Sequence, residues 1–431
     1  MEHFFSYKKN PWLGYAMVGL VFLLFLFAEI LNKRFWLSDF EVYYKSAARI
    51  LEGQNLYRIK ADDFYIFKYS PVSAVFFIPF AILPFWIAKV VYWLFYSFIM
   101  LACIHLAIRM VWPDHTDKRN GSINSLVLLT GLILMVHFLR ELHLGQVNYI
   151  LMFLYLLSCR YLVAGKPGAV GILVSISLFI KPFALIFLPY FLYKKKWKEL
   201  AYVFLYTIIL AAVPLLFYRS FTMTASQSLA WLHELFVELG NKQEFSLPAN
   251  QTIFSVIARY AFLGGILTTP LRFEVFQLLI LLLLAFLMVV LIRRGNGISK
   301  QEITEMIFLT GLIPLLAFSG ENSFGLFLLA VVLILYSFKD LSLPMKILAI
   351  IGFVFVGGNI HDLWGDELSA WIDKVSLISL GAMSLWFIVA TLRFRKLCLT
   401  PGSASAVINI YLSLMISLPE KLWLSCVRRR K

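Results

Sequence analysis

Long apolar runs recur along this chain, and most of them end in a short polar or basic cluster. Trp12–Leu31, Ile87–Arg109, Phe273–Ile292 and Val375–Leu392 each hold about 20 residues, enough to cross a hydrocarbon core as a helix. They are apolar all round and lack the period-two alternation of a membrane barrel. The pattern predicts an all-α, polytopic membrane protein. One early stretch breaks it. Between Asn32 and Pro71 the acids Asp39, Glu41, Asp62 and Asp63 gather between hydrophobic spans.

Within that stretch the spacing predicts an amphipathic helix over Phe40–Glu52. Phe40, Tyr43, Tyr44, Ala47, Ile50 and Leu51 share one face, and Glu41, Lys45, Arg49 and Glu52 the other, with Gly53 as the stop. Such a helix suits a membrane surface, apolar side down. Ser38-x-x-Glu41 has the form of a capping box, and an acid in the first turn suits the helix dipole. Asp39 therefore has two readings: a helix-terminal acid, or a general base at the bilayer edge. Val72–Pro84, about 13 residues long, is too short to cross and reads as an interfacial or re-entrant helix.

Composition agrees with the membrane class. The chain is 61% hydrophobic and 15% charged, with a mean hydropathy of +0.82, whereas soluble domains carry about 25% charged residues. The net charge of +15 sits in clusters at the ends of apolar runs, which marks cytoplasmic loops rather than a nucleic-acid surface. Cys103, Cys159, Cys398 and Cys426 are too scattered for a metal site or a disulfide framework. No repeat or interdomain linker is visible, and the first helix reads as an uncleaved anchor.

Placing all the basic clusters in the cytoplasm fixes the parity of crossings between them. These clusters are Lys8-Lys9, Arg109 with Lys118-Arg119, Arg160 with Lys166, Lys194–Lys198, Arg293-Arg294, Lys339 with Lys346, and Arg393–Lys396. The result is about twelve crossings with both termini cytoplasmic. Residues 1–398 form one transmembrane unit, with its first outer loop at 32–86, and residues 399–431 form a basic cytoplasmic tail. Parity also breaks 168–193 into two short helices at Lys181-Pro182. A single helix would hold Lys181 at mid-membrane, at a cost of roughly 2.5–3.5 kcal/mol on insertion scales.

The polar residues of this arrangement fall on the outer face. Lys181 interrupts two apolar helices, as a snorkelling lysine or as a fixed cation for a lipid phosphate. Arg140-Glu141-Leu142-His143-Leu144-Gly145-Gln146-Val147-Asn148 packs polar side chains between two spans. Arg140 and Glu141 there could pair, while Gln146 and Asn148 suit hydroxyl recognition. Asn250-Gln251-Thr252 and Glu321-Asn322-Ser323 have the form of helix caps, and His361 and Asp362 read as loop residues. No phosphate loop, zinc motif or Ser/His/Asp pattern is present, so an enzyme built this way takes its activated substrate from the lipid.

These residues carry a resemblance. Asp39…Tyr43, then Gly53-x-Asn55-Leu56-Tyr57, then Tyr69-Ser70-Pro71 and an apolar stretch closing at Leu83-Pro84, resembles the N-terminal signature of glycosyltransferase family 87. That family comprises integral-membrane enzymes of the GT-C type, related to polyprenyl-phosphate-mannose-dependent α-mannosyltransferases. Gly145-Gln146-Val147-Asn148 is similar to its Gly-Gln-x-Asn element, Lys181-Pro182 to its lysine-proline element, and Asn250-Gln251-Thr252 to its Asn-Gln-Ser turn. The elements follow in order from about residue 38 to 325. There are two departures: Tyr69-Ser70-Pro71 stands for Tyr-Pro-Pro, and Ser319–Ser323 stands where a Trp/His-rich turn is usual.

The resemblance implies a GT-C-type bundle that transfers a hexosyl, foremost mannosyl, group from a polyprenyl-phosphate donor to a glycan or glycolipid acceptor. Asp39 would be the base in the first periplasmic loop. Lys181, with Arg140 or His143, would meet the donor phosphate. Tyr43, Tyr69, Gln146, Asn148, Asn250, Glu321 and Asn322 would line the substrate cavity. No cofactor is implied and a divalent metal is not indicated. The expected partners are the bilayer and the two substrates, in the inner cell membrane with the site facing the periplasm. The competing reading is a transporter or lipid flippase without chemistry. Against it, the second half of the chain has no counterpart to Lys181-Pro182.

Overall fold

The computed structural model describes residues 11–62, 66–112, 122–241, 249–263, 270–293, 301–317, 320–358 and 360–395. Lys8-Lys9, Asp63, Lys118-Arg119, Arg294, Lys396, Cys398, Cys426, Ser319 and the 399–431 tail lie outside the described residues. Every regular element among those described is helical. In chain order the first half runs α1 (Leu13–Leu31), α2 (Ser38–Leu51), α3 (Pro71–Phe76), α4 (Ile78–Ala81), α5 (Phe85–Val111), α6 (Ile123–Leu144), α7 (Asn148–Val163), α8 (Pro167–Ile180) and α9 (Phe187–Tyr193). The second half runs α10 (Trp197–Ala212), α11 (Leu215–Tyr218), α12 (Phe221–Asn241), α13 (Ile253–Leu263), α14 (Pro270–Arg293), α15 (Gln301–Leu316), α16 (Leu328–Tyr336), α17 (Leu343–Gly357), α18 (His361–Lys374) and α19 (Leu377–Arg395). His361 and Asp362 thus open a helix rather than lying in a loop.

Helix α5 packs on α6, α7 and α16, α1 lies against α6, α8 pairs with α7 and α10, and α17 pairs with α19. Among the described residues, four helices are long and apolar enough to cross a membrane, or five if the bent pair 363–374 and 377–393 counts as one span. Six further apolar helical segments hold only 10–17 residues. Helix length therefore supports a polytopic membrane protein without itself supplying twelve full crossings.

The segment between α1 and α5 folds differently from its sequence pattern in three respects. Ser38 is not a cap: Leu37 precedes α2 in the left-handed conformation (φ 47°, ψ 51°) without a side-chain cap, and Glu41 pairs with Lys45 at 2.7 Å. The apolar side of α2 turns to protein rather than lipid, with Phe40 stacked on Tyr92 of α5 (centroids 4.3 Å apart) and Tyr43 on Phe77 (4.6 Å). Residues 72–84 form two short helices rather than one, with Phe77 closing α3 and opening α4.

The loop is fastened on its polar side as well. Arg49 holds Asp62 through two hydrogen bonds of 2.5 and 2.6 Å. The α12 side chain Gln227 accepts from Leu56 N–H at 2.9 Å and donates to Asn55 Oδ1 at 2.8 Å. Glu234, also on α12, takes Arg58 in a two-pronged pair at 2.7 and 2.8 Å. Asn55 and Leu56 are thus anchoring residues for the loop. At the start of α15, fully buried Glu305 accepts from Tyr190 (2.8 Å), Lys194 (3.0 Å) and Arg393 (2.9 Å), tying α9, α15 and α19 together.

Two helix ends shape the site. Pro182 has no N–H and drives the preceding residue out of the helical region, so α8 stops at Lys181, which is extended (φ −141°, ψ 131°). The following segment is a 3-10 turn, Pro182–Ile186, that leads into α9, where the apolar pattern alone predicts one helix. Helix α6 ends at Gly145, whose left-handed backbone (φ 71°, ψ 41°) is the usual glycine stop. A Cβ at Gly145 would lie 2.7 Å from Phe40 Cβ and 3.2 Å from Leu37 Cβ, so only glycine lets α2 approach this closely.

Candidate functional site

The turn 145–148 joins α6 to α7 and presents two amides in opposite roles. The Gln146 side-chain amide donates to Oδ2 of Asp39 on the first turn of α2. The Asn148 side-chain oxygen Oδ1 accepts from Lys181 Nζ at 2.8 Å. An acid and a cation, 142 positions apart in sequence, are therefore held by one four-residue turn. Burial pushes the Asp39 carboxyl above its ordinary range, while Lys181, the Gln146 hydrogen bond and Lys68 pull it back.

Tyrosines complete the surroundings. Tyr43 and Tyr69 share a hydrogen bond of 2.8 Å between hydroxyls, with ring centroids 5.0 Å apart edge to face. Burial, with Asp39 adding to it, pushes the Tyr69 hydroxyl well above its ordinary pKa, so it stays protonated. Tyr57 donates to the Tyr69 carbonyl at 2.7 Å and fixes that loop. The Lys181 ammonium lies 6.0 Å from the Tyr69 ring centroid and 5.7 Å from that of Phe183, within cation–π range.

Ser70 has a structural task. It caps α3 by accepting from Ser73 N–H at 3.0 Å, and its own hydroxyl donates to the Phe179 carbonyl at 2.6 Å. That carbonyl lies in the last turn of α8, where Phe183 N–H bonds Lys181 O instead of continuing the helix. Ser70 thus satisfies an orphaned helix-end acceptor two residues before Lys181.

The other sequence-picked residues go elsewhere. Arg140 ion-pairs with Glu321, not with its neighbour Glu141. His143 Nδ1 lies 2.5 Å from Glu29 Oε2, beside the Trp36 ring. Asn250 is buried just ahead of α13, its Oδ1 accepting from Thr252 N–H (3.1 Å) and hydroxyl (2.8 Å). Thr252 in turn caps that helix by accepting from Ser255 N–H at 3.3 Å. Asn322 is half-buried in the 3-10 turn Glu321–Phe327. The structure therefore gathers Asp39, Tyr43, Tyr69, Gln146, Asn148 and Lys181, and gives Arg140, His143, Glu321 and Asn250 other partners.

The sequence pattern offers Glu141 only as a partner for Arg140, and the structure gives it another place. It is fully buried and accepts from Tyr96 and from Asn148 N–H (3.2 Å) and Nδ2 (2.7 Å). The available signal was an ionisable residue near the end of an apolar span, where a carboxylate needs a partner inside the protein. Tyr92, whose hydroxyl donates to the Gln146 carbonyl at 2.5 Å, was likewise hidden in the apolar run of α5.

The fold and site define a multi-helix membrane protein in which a carboxylate on α2 and an ammonium at the break after α8 are held by one interhelix turn. The sequence profile of glycosyltransferase family 87 matches residues 67–320, and the chain belongs to that family. The matched range includes Tyr69, Arg140, His143, Gln146, Asn148, Lys181 and Asn250, while Asp39 and Tyr43 precede it and Glu321 and Asn322 follow it. Asp39 is joined to the matched region through Gln146. No match to the chain was found among curated proteins or among solved structures.

Proposed function

We propose that this glycosyltransferase moves a hexosyl group, foremost mannosyl, from a polyprenyl-phosphate donor to a hydroxyl of a cell-envelope glycan or glycolipid. It does so with inversion, on the outer face of the inner membrane, with both termini cytoplasmic. The observation that supports this reading is the shared turn, which holds Asp39 through Gln146 and Lys181 through Asn148.

In the proposed step Asp39 takes the acceptor hydroxyl proton as that oxygen attacks the anomeric carbon from the side opposite the phosphate. The new glycosidic bond forms as the bond between that carbon and the phosphate oxygen breaks. A phosphodiester with one negative charge leaves as a phosphate monoester with two. The added charge needs a fixed cation rather than an acid, and Lys181 is that cation. Arg140 and His143, already paired with carboxylates, are left out of this role. Tyr43 and Tyr69 line the site as neutral hydroxyls, and α2, α3 and α4 form its mouth.

The test uses membranes containing the full chain, labelled donor lipid and the wild type beside Asp39→Asn. Loss of sugar transfer in the variant, with the protein still folded, is the expected result. Full transfer by Asp39→Asn would falsify the assignment of the base. Donor translocation without donor consumption would instead support the transporter reading.

A further inference from the structure

Glu141 touches neither Asp39 nor Lys181 in the hydrogen-bond network of the turn, yet it holds Asn148, which holds Lys181. Three donors converge on its carboxylate. Asn148 Nδ2 donates to Oε1 at 2.7 Å, Asn148 N–H donates to Oε2 at 3.2 Å, and the Tyr96 hydroxyl also donates to Oε2. The Tyr96 oxygen in turn accepts from Tyr149 N–H at 3.1 Å, which aims its hydrogen at Glu141. An ionised carboxylate accepts on both oxygens and donates from neither, so it satisfies all three.

The same bonds orient the side chain of Asn148, seven positions along the chain. The Asn148 carboxamide has a donor end and an acceptor end. With Nδ2 committed to Glu141, Oδ1 must face the other way, and there it accepts from Lys181 Nζ at 2.8 Å. Were the amide reversed, its NH2 group and the ammonium would face each other, and Lys181 would lose this acceptor. We propose that Glu141 is a positioning residue for the transfer reaction: by fixing the polarity of the Asn148 amide it sets the place of the Lys181 ammonium. The inference rests on reading Lys181 as the group that meets the departing phosphate.

The substitution Glu141→Gln keeps the shape and reverses one end. The new amide oxygen takes Tyr96 and Asn148 N–H, while the new NH2 faces the Asn148 side chain. That turns the Asn148 oxygen towards position 141 and its NH2 towards Lys181. Glu141→Gln is therefore expected to lower donor kcat/KM by about tenfold or more, the scale of one charge-assisted hydrogen bond, with the acceptor KM unchanged. The decisive variant is the exchange Glu141→Gln with Asn148→Asp. Its carboxylate at position 148 accepts from the amide at position 141 on one oxygen and from Lys181 on the other, at unchanged net charge. It is expected to recover most of the donor kcat/KM.

The experiment measures donor and acceptor kinetics for Glu141→Gln, for the exchange variant and for Lys181→Gln, with thermal unfolding of each. Wild-type kinetics in a folded Glu141→Gln protein overturn the proposal, and so does a folded exchange variant that stays impaired. Should Glu141→Gln not fold, the exchange variant alone decides on the same criterion. If Lys181→Gln leaves donor kinetics unchanged, the reading of Lys181 itself fails, which is distinguishable from a failure confined to Glu141.

Discussion

Asn148 Oδ1 accepts from Lys181 Nζ at 2.8 Å, and that contact joins the start of α7 to the break after α8. The lysine needs both ends of the arrangement. Pro182 stops the helix so that the side chain is not carried round with it, and Asn148 gives the ammonium a defined acceptor.

The proposed role of Asp39 as base sets the pH dependence of transfer. The base must be ionised, so activity rises as pH rises through its pKa, which burial places above the ordinary aspartate value of 3.8. Gln146 and Lys181 both favour the ionised form. Gln146→Leu is therefore expected to move the acid limb of the kcat profile to higher pH, and Lys181→Met to move it in the same direction. A limb that shifts to lower pH in either variant would contradict the assignment.

Asp39→Asn should separate activity from stability. A carboxyl whose pKa is raised in the fold contributes stability below its unfolded pKa and loses that contribution as pH rises through the folded value. At neutral pH the buried charge is thus a cost that asparagine removes. The variant is expected to lose transfer and to unfold at a temperature no lower than the wild type, read by thermal denaturation in detergent.

Gly145→Ala tests the approach of α2 to the α6 end. The left-handed backbone disfavours alanine by roughly 1–2 kcal/mol, and the new methyl would meet Phe40 Cβ at 2.7 Å. Because the turn holds both Gln146 and Asn148, transfer should fall further than the loss of stability alone explains. Equal activity per folded molecule would argue that α2 can shift without displacing Asp39.

Ser70→Ala removes an N-cap and the hydroxyl that donates to Phe179 O. Loss of the cap costs about 1 kcal/mol, and the unsatisfied carbonyl adds to it. Donor kcat/KM is expected to drop with little change for the acceptor, since the disturbed segment ends at Lys181. A change in acceptor KM alone would point to a different role for this loop.

Glu305→Gln provides a contrast away from the site. Breaking a buried ion pair by removing one partner costs about 3–5 kcal/mol, and Glu305 is the carboxylate that balances Lys194 and Arg393. Folded yield and unfolding temperature should fall strongly. The pH profile of the protein that does fold should match the wild type.

Periodicity and charge placement by themselves determined the all-helical membrane class, the existence of an amphipathic helix, placed at 40–52 where the structure has 38–51, and the break at Lys181-Pro182. Each depends on local chemistry: apolar length, helical spacing and a residue without an N–H. The same local view favoured a capping box at Ser38–Glu41, a lipid-facing α2 and one helix through 72–84. Only the α2 face was decided by tertiary contacts, because Gly145 and Tyr92 give its apolar side a protein partner; Glu41 instead takes Lys45 one turn on within α2, and the chain divides at Phe77. The site was legible as separate polar residues, since aspartate, lysine and the amide turn stand out in an apolar chain. Their pairing was not. Only the folded bundle brings Gln146 to Asp39, Asn148 to Lys181 and Arg140 to Glu321 rather than to adjacent Glu141, because successive residues on a helix point about 100° apart and partners are chosen by packing across helices.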